Sequence, residues 1–290
     1  EDMKLVIPTL LVNLLSASFI EAKDVIRRIT RYKEGSLKFE LEPEVADIVN
    51  GTATGKPLPY QVGLARKPGS HSQCGGTLIA SRVIMTAAHC YIGKDGKLDE
   101  PILRTIAVNM YDWSNTDYPG VTFINLSSGE VGVDIFPHPL YNDETTENDV
   151  ALLILPVGLE EGENIQYAKL NKDPNVPAAD ERLYASGWGA TETGTQSDIL
   201  LGTVVNYVPN DDCADVYGNK FIYDMMMCAF KKGTDTCQGD SGGPLVIASP
   251  NETAPAAEPP LQVGITSWGE DCAGLLYPTV YTRVSSYVDW

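Results

Sequence analysis

From residue 48 to residue 290 the chain is written in short apolar runs cut by Gly, Pro, Asn and Asp. Runs at 60–64, 77–79, 83–86, 102–108, 150–155, 245–248 and 261–267 are too short for buried helices, and each is bounded by turn formers. Many short strands at turn-punctuated spacing specify an all-β sandwich or barrel. Helix signals are few: 211–217 reads as one short helix, and 284–290 as the start of a terminal one. The Pro/Ala-rich stretch 249–260 (SPNETAPAAEPP) between two strands reads as an exposed insertion.

The first 47 residues differ in kind. Met3-Lys4, an apolar stretch over 5–15 and the small residues Ser16-Ala17-Ser18 have the order of a secretory signal peptide over residues 1–18. The apolar stretch is too short to span a bilayer. Residues 19–47 are charged and without apolar periodicity, and read as a pro-segment. Six cysteines without a C-x-x-C pair fit a few disulfides in a secreted chain or scattered thiols in a cytosolic one. Six allow fifteen pairings. Asn50, Asn125 and Asn251 open glycosylation sequons.

The net charge of −18 excludes a nucleic-acid binder, since a phosphate backbone needs a basic stripe. Residues 48–290 carry 14 basic and 30 acidic groups, a surface suited to solubility and to cationic substrates. Three histidines leave little for a zinc site, no metal or cofactor is expected, and 109–130 lacks the paired carboxylates of a calcium loop.

Three segments carry the chemistry. Met85-Thr86-Ala87-Ala88-His89-Cys90 runs from a strand end into a histidine; Asn148-Asp149-Val150-Ala151 sets a carboxylate before an apolar strand; Gln238-Gly239-Asp240-Ser241-Gly242-Gly243-Pro244 sets a serine in a glycine-flanked turn. A serine hydroxyl is a poor nucleophile until a base takes its proton, and a neutral imidazole does so near pH 7. A carboxylate fixes the imidazole tautomer, and glycines let backbone N–H groups face a developing oxyanion. Each segment alone has an ordinary structural reading; the conjunction in the order His, Asp, Ser does not.

With TAAHC at 86–90, DVALL at 149–153, GWG at 187–189, GDSGGP at 239–244 and SWG at 267–269, the chain resembles the chymotrypsin/trypsin-like serine proteases over residues 48–290. The stretch 164–168 (NIQYA) is similar to fungal trypsin-like enzymes. The resemblance implies two antiparallel six-stranded β-barrels, roughly 48–165 and 166–290, packed around an active-site cleft, with a short C-terminal helix cut early at Trp290. It implies His89 as general base, Asp149 as its orienting carboxylate, Ser241 as nucleophile, and the N–H groups of Gly239 and Ser241 as oxyanion hole. It pairs Cys74 with Cys90, Cys213 with Cys228, and Cys237 with Cys272. Ile48-Val49-Asn50-Gly51 resembles the N-terminus that family zymogens expose, and the Ile48 ammonium is expected to pair with Asp240. Asp47 stands before it where self-activation needs Arg or Lys, so activation by another protease is expected, or a cut near Arg27, Arg28 or Lys38 followed by trimming.

Asp235 matches the base of the S1 pocket and implies cleavage after Arg or Lys. Ser267, Trp268 and Gly269 match its wall, and the region of Pro278 and Tyr281 the strand that closes it. Thr279 stands where trypsins carry Gly, and a β-branched side chain there narrows the pocket. His71 and His138 match no catalytic position. The expectation is therefore a secreted, monomeric, zymogen-type serine endopeptidase. Its partners would be protein or peptide substrates, an activating protease and protein inhibitors, with no nucleic acid and no membrane. The alternative is a catalytically silent homologue kept as a binding module, and composition alone supports an acidic matrix protein.

Overall fold

The computed structural model describes residues 51–290 except 68, 94–95, 99–102, 126–132, 192, 219–221, 234–235, 250–258 and 271–276. The expected signal peptide and pro-segment, Ile48, Asp235, Cys272, the sequons at Asn50 and Asn251, and most of the 249–260 insertion lie outside the described residues. A two-residue strand, β1 (Thr52–Ala53), opens the described chain. The next seven strands form one antiparallel sheet: β2 (Gln61–Ala65), β3 (Ser72–Ala80), β4 (Val83–Thr86), β5 (Thr105–Val108), β6 (Thr122–Asn125), β7 (Asp134–Pro137) and β8 (Ala151–Ile154). Their spatial order is β6-β5-β2-β3-β4-β8-β7.

A second sheet takes β9 (Lys169–Leu170), β10 (Arg182–Gly187), β11 (Leu201–Val208), β12 (Met226–Phe230), β13 (Pro244–Ile247), β14 (Leu261–Trp268) and β15 (Thr279–Arg283). Its order runs β1-β11-β10-β13-β14-β15-β12, and β12 pairs back onto β11. The β11–β12 pairing closes six of these strands into a barrel around Leu183, Val205, Met227, Leu245, Val263 and Tyr281, with β1 and β9 attached outside the ring. The seven-stranded sheet wraps instead around Val62, Leu64, Leu78, Ile84, Ile106 and Leu153. The fold is thus the all-β double barrel expected, with one short α-helix among the described residues, α1 (Asn210–Tyr217). Two details differ. The first sheet has a seventh strand, and among the described residues its edge strands β6 and β7 do not pair. The segment expected to start a terminal helix makes a single 3₁₀ turn at Val284–Ser286.

The first and last described segments tie the halves together. β1 pairs with β11 of the second sheet, while Val284 and the partly buried Tyr287 and Val288 pack into the core of the first. Between the sheets lies a third apolar layer that includes Tyr60, Trp113, Tyr184, Trp188 and Val246. Within it Trp113 meets the Trp188 ring edge-on at 6.0 Å. A reciprocal pair spans the same junction: Ser186 Oγ donates to Gln61 Oε1 (2.6 Å) and Gln61 Nε2 to the Ser186 carbonyl (3.3 Å). Buried polar groups need such partners, and these two satisfy one another.

Candidate active site

Strand register brings His89 and Asp149 to one edge. Strands β4 and β8 pair with Thr86 opposite Ala151. His89 follows Thr86 by three residues and Asp149 precedes Ala151 by two, so both lie just past the same end of the ladder. Buried Ala87 and Ala88 let the chain tighten there into a 3₁₀ turn, Ala88–Cys90, that carries the imidazole. The Asp149 carboxylate is 0% exposed, while the His89 side chain keeps 28%. Asp149 Oδ2 lies 2.7 Å from His89 Nδ1, and Oδ1 accepts from the His89 backbone N–H at 2.9 Å.

Charge settles the tautomer. Burial works to raise the Asp149 pKa, but the His89 charge and hydrogen bond, joined by hydrogen bonds from Ser267 and the His89 N–H, hold it below the usual carboxylate range. An ionised carboxylate only accepts, so Nδ1 carries the proton and neutral His89 presents a bare Nε2. Burial works to lower the His89 pKa; the Asp149 charge and hydrogen bond outweigh it and leave it above 6.5.

The serine arrives on the second barrel. Pro244 of β13 pairs with Ile265 of β14, so Ser241, three residues before one, and Ser267, two after the other, share an end. Gly242 N–H donates to Thr266 O, and Gly75 N–H of β3 to Ser241 O at 2.7 Å. The same Ser241 carbonyl lies 3.7 Å from the sulfur of Cys90, the residue after His89. At Gly75 a Cβ would stand 2.8 Å from Gly243 Cα, so the two segments meet backbone to backbone. Gly239 has φ +104°, and a Cβ there would also strike Gln196 Nε2. Among the described residues, neither Gly239 N–H nor Ser241 N–H donates to a backbone carbonyl.

Asp240 is 0% exposed and accepts from Gly189 N–H (2.8 Å) and Cys237 N–H (2.9 Å). Burial pushes its pKa up to about 6, against those two bonds. Its expected partner, Ile48, lies outside the described residues. Ser267, expected on the pocket wall, directs its hydroxyl at Asp149 Oδ2 (2.5 Å), a contact the sequence did not disclose. Thr279 is buried beside Gly269, its Oγ1 3.8 Å from where a Gly269 Cβ would stand.

Disulfides join Cys74 to Cys90 and Cys213 to Cys228, and Cys237 is disulfide-bonded as well. Cys74, His89 and Cys90 have metal-like spacing, but the two sulfurs are bonded to each other and leave no thiolate to bind an ion. His71 faces Asp198 at the surface, 3.4 Å away. His138 packs against Tyr287 and Trp290.

Comparison with known proteins agrees with this geometry. A family profile described as trypsin matches residues 48–290. The chain is similar to trypsin theta of Drosophila melanogaster, 36% identical over 80% of this chain and 79% of the relative. It is also similar to trypsin delta of Drosophila erecta (36%, over 84% and 86%) and to venom serine protease 34 of Apis mellifera (33%, over 84% and 57%). Double barrel, histidine–carboxylate pair and family match converge, and the chain belongs to the trypsin family of serine proteases.

Proposed function

We propose that the chain is a secreted, zymogen-type serine endopeptidase that cleaves after Arg or Lys through an acyl-enzyme at Ser241. The observation that carries this reading is the His89–Asp149–Ser267 hydrogen-bonded set at the edge where the Ser241 turn abuts Cys90. His89 Nε2 takes the Ser241 proton as Oγ attacks the scissile carbonyl. The oxyanion of the tetrahedral intermediate accepts from the N–H groups of Gly239 and Ser241. His89 then gives its proton to the leaving amine as the C–N bond breaks. Water, deprotonated by His89, attacks the acyl group and releases Ser241. Asp149 stays ionised throughout and stabilises the imidazolium.

Activation would follow cleavage before Ile48, which frees an ammonium for the buried Asp240 carboxylate, whose partners among the described residues are the N–H groups of Gly189 and Cys237. Asp47 assigns that cut to another protease. The residue for substrate selection is Asp235, which matches the family position that reads the substrate side chain, and a carboxylate there discriminates strongly against a side chain that leaves it without a cation. Thr279 packed beside Gly269 supports a pocket narrower than one with glycine there. Secretion, the signal peptide over 1–18, the pro-segment over 19–47, glycan use, a monomeric state, and protein substrates and inhibitors belong to the same reading. Among the described residues no helix is long and apolar enough to cross a membrane.

The test uses the full chain before and after cleavage at Ile48. A serine-directed phosphonylating reagent should label Ser241 far faster after the cut, and peptides with Arg or Lys before the scissile bond should turn over fastest. Absence of labelling in both forms overturns the enzyme in favour of a binding module. Faster cleavage after Ala or Leu overturns the Arg/Lys preference, and a mature start other than Ile48 overturns the Asp240 pairing.

A further inference from the structure

The residue before Asp149 is held more firmly than a loop residue needs to be. Asn148 has left-handed backbone, φ +59°, tolerated by Asn better than by most side chains. Its carbonyl accepts from Val150 N–H at 2.8 Å, so a tight turn straddles Asp149. Its side chain is used at both ends: Nδ2 donates to Leu140 O (2.9 Å), and Oδ1 accepts from the Tyr287 hydroxyl (3.1 Å). Beyond Asp149, the Val150 carbonyl accepts from His138 N–H (2.9 Å), and the Asp149 carbonyl from Thr282 Oγ1 (2.7 Å).

Tyr287 is itself braced, its ring 5.3 Å from that of His138, which lies 4.9 Å from Trp290. Burial, then the charges of Asp149 and Glu147, keep the Tyr287 phenol protonated, so its hydroxyl donates at any working pH. The orientation of the Asn148 amide is thereby fixed. Tyr141 is the other phenol near the carboxylate; burial first, then the charges of Asp149 and Asp143, keep it protonated too. Neither phenol therefore titrates where His89 does.

We infer that Asn148, anchored by Tyr287 and the Leu140 carbonyl, is a positioning residue that sets the placement of the Asp149 carboxylate against His89. It touches neither substrate nor reacting atoms and acts through the backbone it shares with Asp149. The inference deepens the serine-protease reading and rests on it. Groups that orient a catalytic residue act steeply, because small misplacements of reacting groups are costly.

The test compares full-length, activated wild type with Asn148→Ala, Asn148→Gly and Tyr287→Phe, measuring kcat and KM from pH 5 to 9 and thermal unfolding. Losing the amide in either Asn148 variant should lower kcat roughly tenfold with KM nearly unchanged. The acid limb of kcat should move to lower pH, because a loosened Asp149 supports the His89 imidazolium less. Tyr287→Phe, which loses one hydrogen bond, should give about a threefold fall and a smaller shift in the same direction. Wild-type kcat and an unmoved acid limb in Tyr287→Phe and in the folded Asn148 variants overturn the inference. So does a normal Asn148→Gly beside an impaired Asn148→Ala, which would assign the effect to φ alone. If an Asn148 variant melts below the assay temperature, Tyr287→Phe decides. A wild type that neither labels nor turns over fails at the earlier step, and that result strikes the protease reading itself.

Discussion

At Asp149 two opposing effects meet. Removing a carboxylate from water favours its neutral form, yet three hydrogen bonds and a neighbouring imidazolium keep this one charged. The same attraction raises His89, so the proposed base is neutral only above a midpoint that itself lies above 6.5. Activity should rise with pH through that midpoint. In Asp149→Asn only burial remains to act on His89, and burial lowers its pKa, so the acid limb should move below 6.5. Plateau kcat should fall about 10³-fold or more, because an amide no longer enforces the Nδ1–H tautomer. A pH–rate profile of kcat/KM checks both; an upward shift of the limb would sink this account of the pair. His89, Asp149 and Ser241 could be singled out in sequence because each stands in a local pattern with a chemical purpose, and the structure brings the first two together. The Ser267 hydroxyl on Asp149 was not: it lies 118 residues away on another strand, and only the meeting of the two barrels makes the contact.

At the scale of elements, apolar runs located β2, β4, β8, β13 and β14 to within a residue or two, because their side chains fill a core. Strands such as β10 (Arg182–Gly187) give a weaker signal: Ala, Ser and Gly occupy its second half, where the chain needs close approach rather than bulk. β7 reads Asp-Ile-Phe-Pro, alternates exposed with half-buried positions and ends on a proline, which suits an edge. The sequence also could not show that β3 meets the serine turn backbone to backbone. That contact has a measurable consequence. Gly75→Ala would force a methyl to 2.8 Å from Gly243 Cα, and overpacking of this kind costs about 1–3 kcal/mol. Tm should fall by roughly 3–10 °C, and phosphonylation of Ser241 should slow as its turn is displaced. Gly162→Ala, whose added methyl meets nothing within 4 Å, is the control and should leave both unchanged. Equal behaviour of the two variants would show that the contact is slack.

For the whole molecule, the net charge of −18 says less about folding than one buried acid does. With Ile48 still joined to Asp47, the folded Asp240 titrates near pH 6, whereas an unfolded aspartate titrates near 4. Between those values the folded state holds the proton that the unfolded state has released, so stability falls as pH rises through the window. The accumulated loss is about 3 kcal/mol and stays constant above it. Pairing with a freed Ile48 ammonium reverses the sign, since a folded pKa below the unfolded one makes stability rise with pH and be lost as pH falls. Asp149, held low, contributes stability that is lost in acid, and His89, held high, contributes stability that is lost as pH climbs through its folded value. Their hydrogen bonds involve no atom of Asp240, so both should act alike in the cleaved and uncleaved forms. They therefore cancel in the difference, which isolates Asp240. Melting curves of the uncleaved and cleaved chain, both carrying Ser241→Ala to prevent self-digestion, should diverge between pH 4 and pH 6.5. The cleaved form should gain roughly 6–12 °C on the uncleaved one. Asp240→Asn should flatten the uncleaved profile, raise its Tm above pH 6 and abolish the divergence. Parallel profiles would mean that no cation reaches Asp240 after the cut, and the proposed activation by Ile48 would fall.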